Sequence, residues 1–122
     1  MHFFIISFSH KNSSATFRDS LTFKHDSDKE QFLQTIFQTQ NVKELLLLST
    51  CNRFELIGVS EHEAISPQKV LEDIATHAST DVNAVKERAE VYVNLGAIHH
   101  LFTVASSLDS LVLGETQIVG QM

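Results

Sequence analysis

The chain has 122 residues, with 9 Lys and Arg against 15 Asp and Glu, a formal charge of -6 and a pI near 5.5. With 43% apolar residues it has the material for one domain with its own core, and its single cysteine, Cys51, excludes an intrachain disulfide or a four-cysteine zinc cage. The acidic balance argues against non-specific coating of nucleic acid, which needs clustered Lys and Arg, though not against a shaped contact with one RNA, while no apolar run approaches the roughly 20 residues that cross a bilayer and residues 1–8 lack a secretion signal, so a soluble, cytoplasmic protein is expected.

Residues 2–8 are an apolar, β-favouring run that predicts a first strand, and the polar stretch 9–14 predicts a loop. Phe17, Leu21 and Phe23 are apolar points in an irregular segment. The sequence Ser27, Asp28, Lys29, Glu30 matches a capping box, and Phe32, Leu33, Ile36 and Phe37 then recur on one helical face to about Gln40. Residues 45–48 form a continuous apolar run suited to a strand buried on both faces, and 54–59 supply another strand. Between them, Ser49, Thr50, Cys51, Asn52 and Arg53 make a polar break at the tip of a sheet.

Ser66 followed by Pro67 is an N-cap with proline at the first helical position, and Val70, Leu71, Ile74, Ala75 and Ala78 form the buried stripe behind it. A short helix over 81–90 leads into Val91, Tyr92 and Val93, a last strand. This order predicts an α+β, ferredoxin-like (βαββαβ) core over residues 1–93. Residues 94–122 predict a helical extension, with Ile98, Leu101, Phe102, Ala105 and Leu108 packing down and His100, Thr103 and Ser107 along one edge. Gly114 is expected to end that helix and 115–122 to open another. The pattern is unfinished at Gln121 and Met122, as expected for part of a longer protein.

Chemistry gathers first at Cys51. A cysteine at the end of a buried strand, followed by Asn52 and Arg53, has a cation and the N–H groups of a turn to favour its thiolate. A lone cysteine is more often a small core residue, but a core residue would sit more naturally within 45–48. A nucleophile needs a base, and among the seven scattered histidines His10, beside Lys11, and His100, at a helix edge, keep suggestive company. His99 and His100 point about 100° apart on a helix and cannot readily chelate one ion, so no metal is expected. Residues 114–120 contain no G-x-G-x-x-G and no Lys followed by Ser or Thr, so a nucleotide phosphate site is not supported there.

The string S-T-C-N-R-x-E at 49–55, combined with H-L-x-x-V-A-S-x-L-D-S-L-V-L-G-E-x-Q-I-x-G-Q at 100–121, resembles the N-terminal catalytic domain of the glutamyl-tRNA reductase family. His10, Lys11, Arg18 and Asp19 fit the same pattern, so the resemblance covers nearly the whole chain. It implies an enzyme that reduces glutamyl-tRNA with NADPH to glutamate-1-semialdehyde, in the five-carbon route to tetrapyrroles. It also implies that Cys51 is the nucleophile forming a glutamyl thioester and that His100 is the acid or base beside it. Thr50, Asn52, Arg53, Ser110, Glu115, Thr116, Gln117 and Gln121 correspond to substrate-binding positions, with Arg53 the partner of a carboxylate. Glu55 has two readings, an ion pair with Arg53 at a strand edge or a substrate contact.

The family's further domains, an NADPH-binding Rossmann-type domain and a helical dimerisation domain, are absent from these residues. The chain alone is therefore expected to form the thioester without reducing it. A homodimer and glutamate-1-semialdehyde aminomutase are the implied protein partners. Ser7, 12–14, Ser107 and Thr116 depart from the usual family residues, none of them removing a group the chemistry needs. Two other classes compete: a non-catalytic RNA-binding ferredoxin-like module, which needs exposed aromatics on its sheet and local basic charge, and a cysteine hydrolase using Cys51 and His100.

Overall fold

The computed structural model describes residues 1–39, 42–50, 52–108 and 115–120, with side chains up to residue 106. The elements in chain order are β1 (His2–Ser9), α1 (Ala15–Leu21), α2 (Asp26–Thr39), β2 (Val42–Ser49), β3 (Arg53–Ser60), α3 (Pro67–Ala78), α4 (Val82–Arg88), β4 (Glu90–Val93), α5 (Leu95–Leu108) and β5 (Glu115–Gly120). Four strands pair antiparallel in the order β4-β1-β3-β2, and β5 adds to the free edge of β2, also antiparallel. The molecule is thus a mixed α/β protein built on an antiparallel sheet.

Side-chain alternation divides the sheet into two unlike faces. One face carries Phe4, Ile6 and Phe8 of β1, Phe54 and Leu56 of β3, and Leu45 and Leu47 of β2, all in one buried cluster. Phe32, Leu33 and Ile36 of α2, Val70, Leu71 and Ile74 of α3, and Val85 of α4 close over it. Gly58 belongs to this face, paired in register with Phe4, and a Cβ there would collide with the Phe4 ring. The opposite face carries Ile5, Ser7, Leu48 and Glu55, all buried, and α5 packs across it on β1 and β4.

The capped start of α3 forms as its sequence dictates: the Ser66 side chain accepts from the Lys69 N–H, Pro67 opens the helix, and Ser79 ends it in the left-handed conformation. Several elements differ from the sequence expectation. Helix α1 occupies the segment expected to be irregular, and Ser14 caps it by accepting from the Phe17 N–H. Helix α2 begins at Asp26, so Ser27 lies inside its first turn rather than at its cap. Residues 115–120 form a strand, not the opening of a helix, as the β-favouring Thr116, Ile118 and Val119 allow.

Helix α5 forms but is rotated from the expected orientation. Ala97, His100 and Val104 turn toward the sheet, whereas Leu101 and Phe102 are 42% and 70% exposed. Thr103 is exposed and bonds the carbonyl of His99, so it does not share the face of His100.

Candidate active site

The site is built on the second face of the sheet, where strand register sets a row of residues across five strands. Glu90 of β4 pairs with Ser7 of β1, Ser7 with Glu55 of β3, Glu55 with Leu48 of β2, and Leu48 with Thr116 of β5. Glu55 is only 1% exposed, a carboxylate at the centre of a sheet. Burying such a group is costly unless partners compensate it. Its Oε1 lies 2.5 Å from His100 Nε2, and its Oε2 lies 3.5 Å from Arg53 Nη1, an ion pair with no hydrogen bond to that oxygen among the described residues.

The imidazole of His100 is held on its flat side as well. The ring of Tyr92 stacks on it with centroids 4.0 Å apart and planes 14° from parallel, and the Tyr92 hydroxyl donates to Glu90 Oε2. Burial, reinforced by the bond to Glu90 and by the negative charges of Glu90 and Glu55, pushes the Tyr92 phenol up to about 12, against an opposing effect of Arg53. Tyr92 therefore serves as a neutral wall to the site.

The connection between β2 and β3 leads into the same region. The Thr50 N–H donates to the Arg53 carbonyl at 2.8 Å, and Thr50 Oγ1 accepts from the N–H groups of Asn52 and Arg53 at 3.3 and 3.2 Å. Arg53 is largely shielded and Asn52 is exposed. Behind it, the β1–α1 loop is fixed by Ser9, whose carbonyl accepts from the N–H groups of Asn12 and Ser13, and by Arg18, whose Nη1 donates to the Ser13 carbonyl at 2.6 Å. Arg18 is buried and structural, whereas His10 and Lys11 are exposed.

Of the residues expected from sequence, the structure brings Arg53 and His100 together around Glu55. Thr50 and Asn52 lie in the adjoining connection. Glu115, Thr116 and Gln117 stand in register with Ser49, Leu48 and Leu47 along the edge of the same sheet. Cys51, Ser110 and Gln121 lie outside the described residues. Glu55 has the Arg53 partner that their spacing in the sequence suggests, but its second partner, His100, and the neighbouring Tyr92 and Glu90 are not among the residues expected from sequence. The only signal for Tyr92 and Glu90 was the strand-period placement of two polar-tipped side chains two residues apart.

Among the described residues no group of three or more His, Cys, Asp or Glu is placed to hold a metal ion, and no helix is long and apolar enough to cross a membrane. Among the described residues no glycine-rich phosphate loop is formed: Gly58 is in mid-strand against Phe4, Gly96 is in the first turn of α5 and Gly120 ends β5. Among the described residues no exposed large aromatic lies on the strands, and the exposed Phe102 is on α5.

The family model described as "Glutamyl-tRNAGlu reductase, N-terminal domain" matches residues 6–122. Glutamyl-tRNA reductases from Aliarcobacter butzleri and Campylobacter hominis are 48% and 45% identical to this chain over all 122 residues, and the chain spans 28% of the length of each. A solved structure, glutamyl-tRNA reductase from Methanopyrus kandleri, shares the fold with a TM-score of 0.59 at 23% identity, over 93% of this chain and 24% of that one. From residue 6 onward the match is continuous, and the chain belongs to the glutamyl-tRNA reductase family, as its N-terminal domain.

Proposed function

We propose that this chain is the substrate-capturing domain of an NADPH-dependent glutamyl-tRNA reductase that makes glutamate-1-semialdehyde for tetrapyrrole synthesis. Its strand order β4-β1-β3-β2, with helices between, supports a ferredoxin-like core over residues 1–93, with 94–122 as the extension that completes the site. The observation that carries the reading is that His100 and Arg53 both engage Glu55, at the start of the strand that follows Cys51.

In this mechanism the Cys51 thiolate attacks the ester carbonyl carbon of glutamyl-tRNA. A C–S bond forms, the C–O bond to the tRNA ribose breaks, and the leaving oxygen takes a proton from His100. A glutamyl thioester remains on Cys51. Arg53 holds the side-chain carboxylate of the glutamate, with Thr50, Asn52, Ser110, Glu115, Thr116, Gln117 and Gln121 completing the pocket. The described residues do not fit NADPH, so no reductive step is assigned to them. The reductant's site, a homodimer interface and a contact with glutamate-1-semialdehyde aminomutase belong to the same proposal for the complete protein.

The test is production of semialdehyde from glutamyl-tRNA by the complete enzyme. Cys51→Ala is expected to abolish it and His100→Asn to slow it by about 10²–10⁴-fold. Reduction of glutamyl-tRNA by the Cys51→Ala enzyme would refute the nucleophile.

A further inference from the structure

We propose that Glu55 is a positioning residue: it accepts the Nε2–H of His100 and thereby leaves Nδ1 as the ring nitrogen that exchanges protons with the reacting groups. This rests on the reading of His100 as the acid–base residue. An ionised carboxylate can only accept a hydrogen bond, so with Glu55 as a carboxylate we place the proton on the His100 nitrogen 2.5 Å from its Oε1. In a neutral imidazole the other nitrogen, Nδ1, then holds the free lone pair.

Four features favour positioning over a merely structural role. Glu55 sits among Ser7, Ile57 and Leu48 on a sheet face where an apolar side chain would pack without any desolvation cost, and replacing buried ionic groups with apolar ones is often neutral or stabilising. Tyr92 lies flat on the imidazole, so a partial turn of the ring about its bond to Cβ would break the stack, and a half turn, which keeps the plane, would lose the hydrogen bond to Glu55. The hydroxyl of Tyr92 is held by Glu90, which fixes the wall in turn. Arg53, for its part, makes no hydrogen bond to Glu55 Oε2 across the 3.5 Å between them, and its guanidinium remains able to take a substrate carboxylate while Glu55 holds the histidine.

The tautomer can be read directly in the complete enzyme labelled with 15N-histidine, with His100→Asn assigning the signal. At a pH where the ring is neutral, the expected spectrum shows Nε2 protonated and Nδ1 bare; a dominant Nδ1–H form would overturn the proposal without any variant having to fold. Glu55→Gln keeps the shape of the side chain but can offer either an oxygen or an N–H to the ring. It is expected to blur the tautomer preference and slow thioester formation about 10-fold or more. An unchanged tautomer and rate in Glu55→Gln would also overturn the proposal. Because the tautomer is read without substrate, an Nε2–H signal in an enzyme that forms no thioester would support the pairing and count against the reaction alone.

Discussion

Glu55 and His100, 45 residues apart in the chain, meet at 2.5 Å between the centre of the sheet and the helix that crosses it. This contact ties the strand following Cys51 to the extension carrying His100. Arg53, two residues before Glu55 on the same strand face, is drawn into the group by charge.

Replacing Arg53 tests substrate recognition. Arg53→Ala is expected to lower kcat/KM for glutamyl-tRNA about 10–100-fold, the worth of one charge-assisted hydrogen bond. Arg53→Lys should recover only part of this, because an ammonium cannot present the planar fork of a guanidinium to a carboxylate. Steady-state kinetics of the complete enzyme decide it, and equal activity in all three forms would remove Arg53 from the pocket.

Tyr92 is the chain's single tyrosine, so absorbance of the phenolate reads it alone when these residues are titrated. Its midpoint is expected near 12 rather than at the ordinary 10.0, for as long as the fold persists. The raised value means that the folded state holds its proton more tightly than the unfolded one. The corresponding stability is present below pH 10 and is lost as pH rises toward 12. Glu90→Gln should bring the midpoint down part of the way, since burial, the largest cause, remains.

His77 gives the opposite pH dependence. Its ring stacks on Phe23 with centroids 3.9 Å apart, and its Nε2 bonds the Leu21 carbonyl at 3.2 Å. Burial lowers its pKa below the ordinary 6.5, outweighing the raising effects of that bond and of Asp28. The unfolded state therefore binds the proton more readily, and stability present above pH 6.5 is lost as pH falls below it. Thermal melts from pH 7 down to 5 should show a falling Tm, and His77→Gln should flatten the slope; a parallel slope in the variant would contradict the assignment.

Gly58 tests the packing of the first sheet face. A methyl group there meets the ring of Phe4, which is itself buried. Gly58→Ala is expected to cost about 1–3 kcal/mol by overpacking, measured by denaturant unfolding. A double variant, Phe4→Leu with Gly58→Ala, should lose less than the sum of the two.

Much of the framework is legible from periodicity alone, because β1, β2, β3, α2 and α3 each have a strong apolar pattern that tertiary packing reinforces. Helix α1 has only Phe17 and Leu21 as large apolar markers in seven residues, too few to outweigh its polar surroundings. The turned face of α5 shows where pattern misleads. Leu101 and Phe102 look like core residues, but the Glu55 bond and the Tyr92 stack hold His100 against the sheet and send its apolar neighbours outward. The strand over 115–120 pairs with the edge of β2, a contact that no local pattern encodes. Cys51 and Arg53 are conspicuous because they stand two residues apart in the sequence. Glu55, Tyr92 and Glu90 acquire meaning only when three strands and a helix bring them to the same histidine.

The most direct test of the central claim is an intact-mass spectrum of the protein after mixing with glutamyl-tRNA and quenching in acid, with Cys51→Ser alongside. The native protein is expected to carry a glutamyl adduct, labile to thiols and hydroxylamine and absent from Cys51→Ser. An adduct of equal yield in both, or none in a complete enzyme that still reduces glutamyl-tRNA, would contradict it.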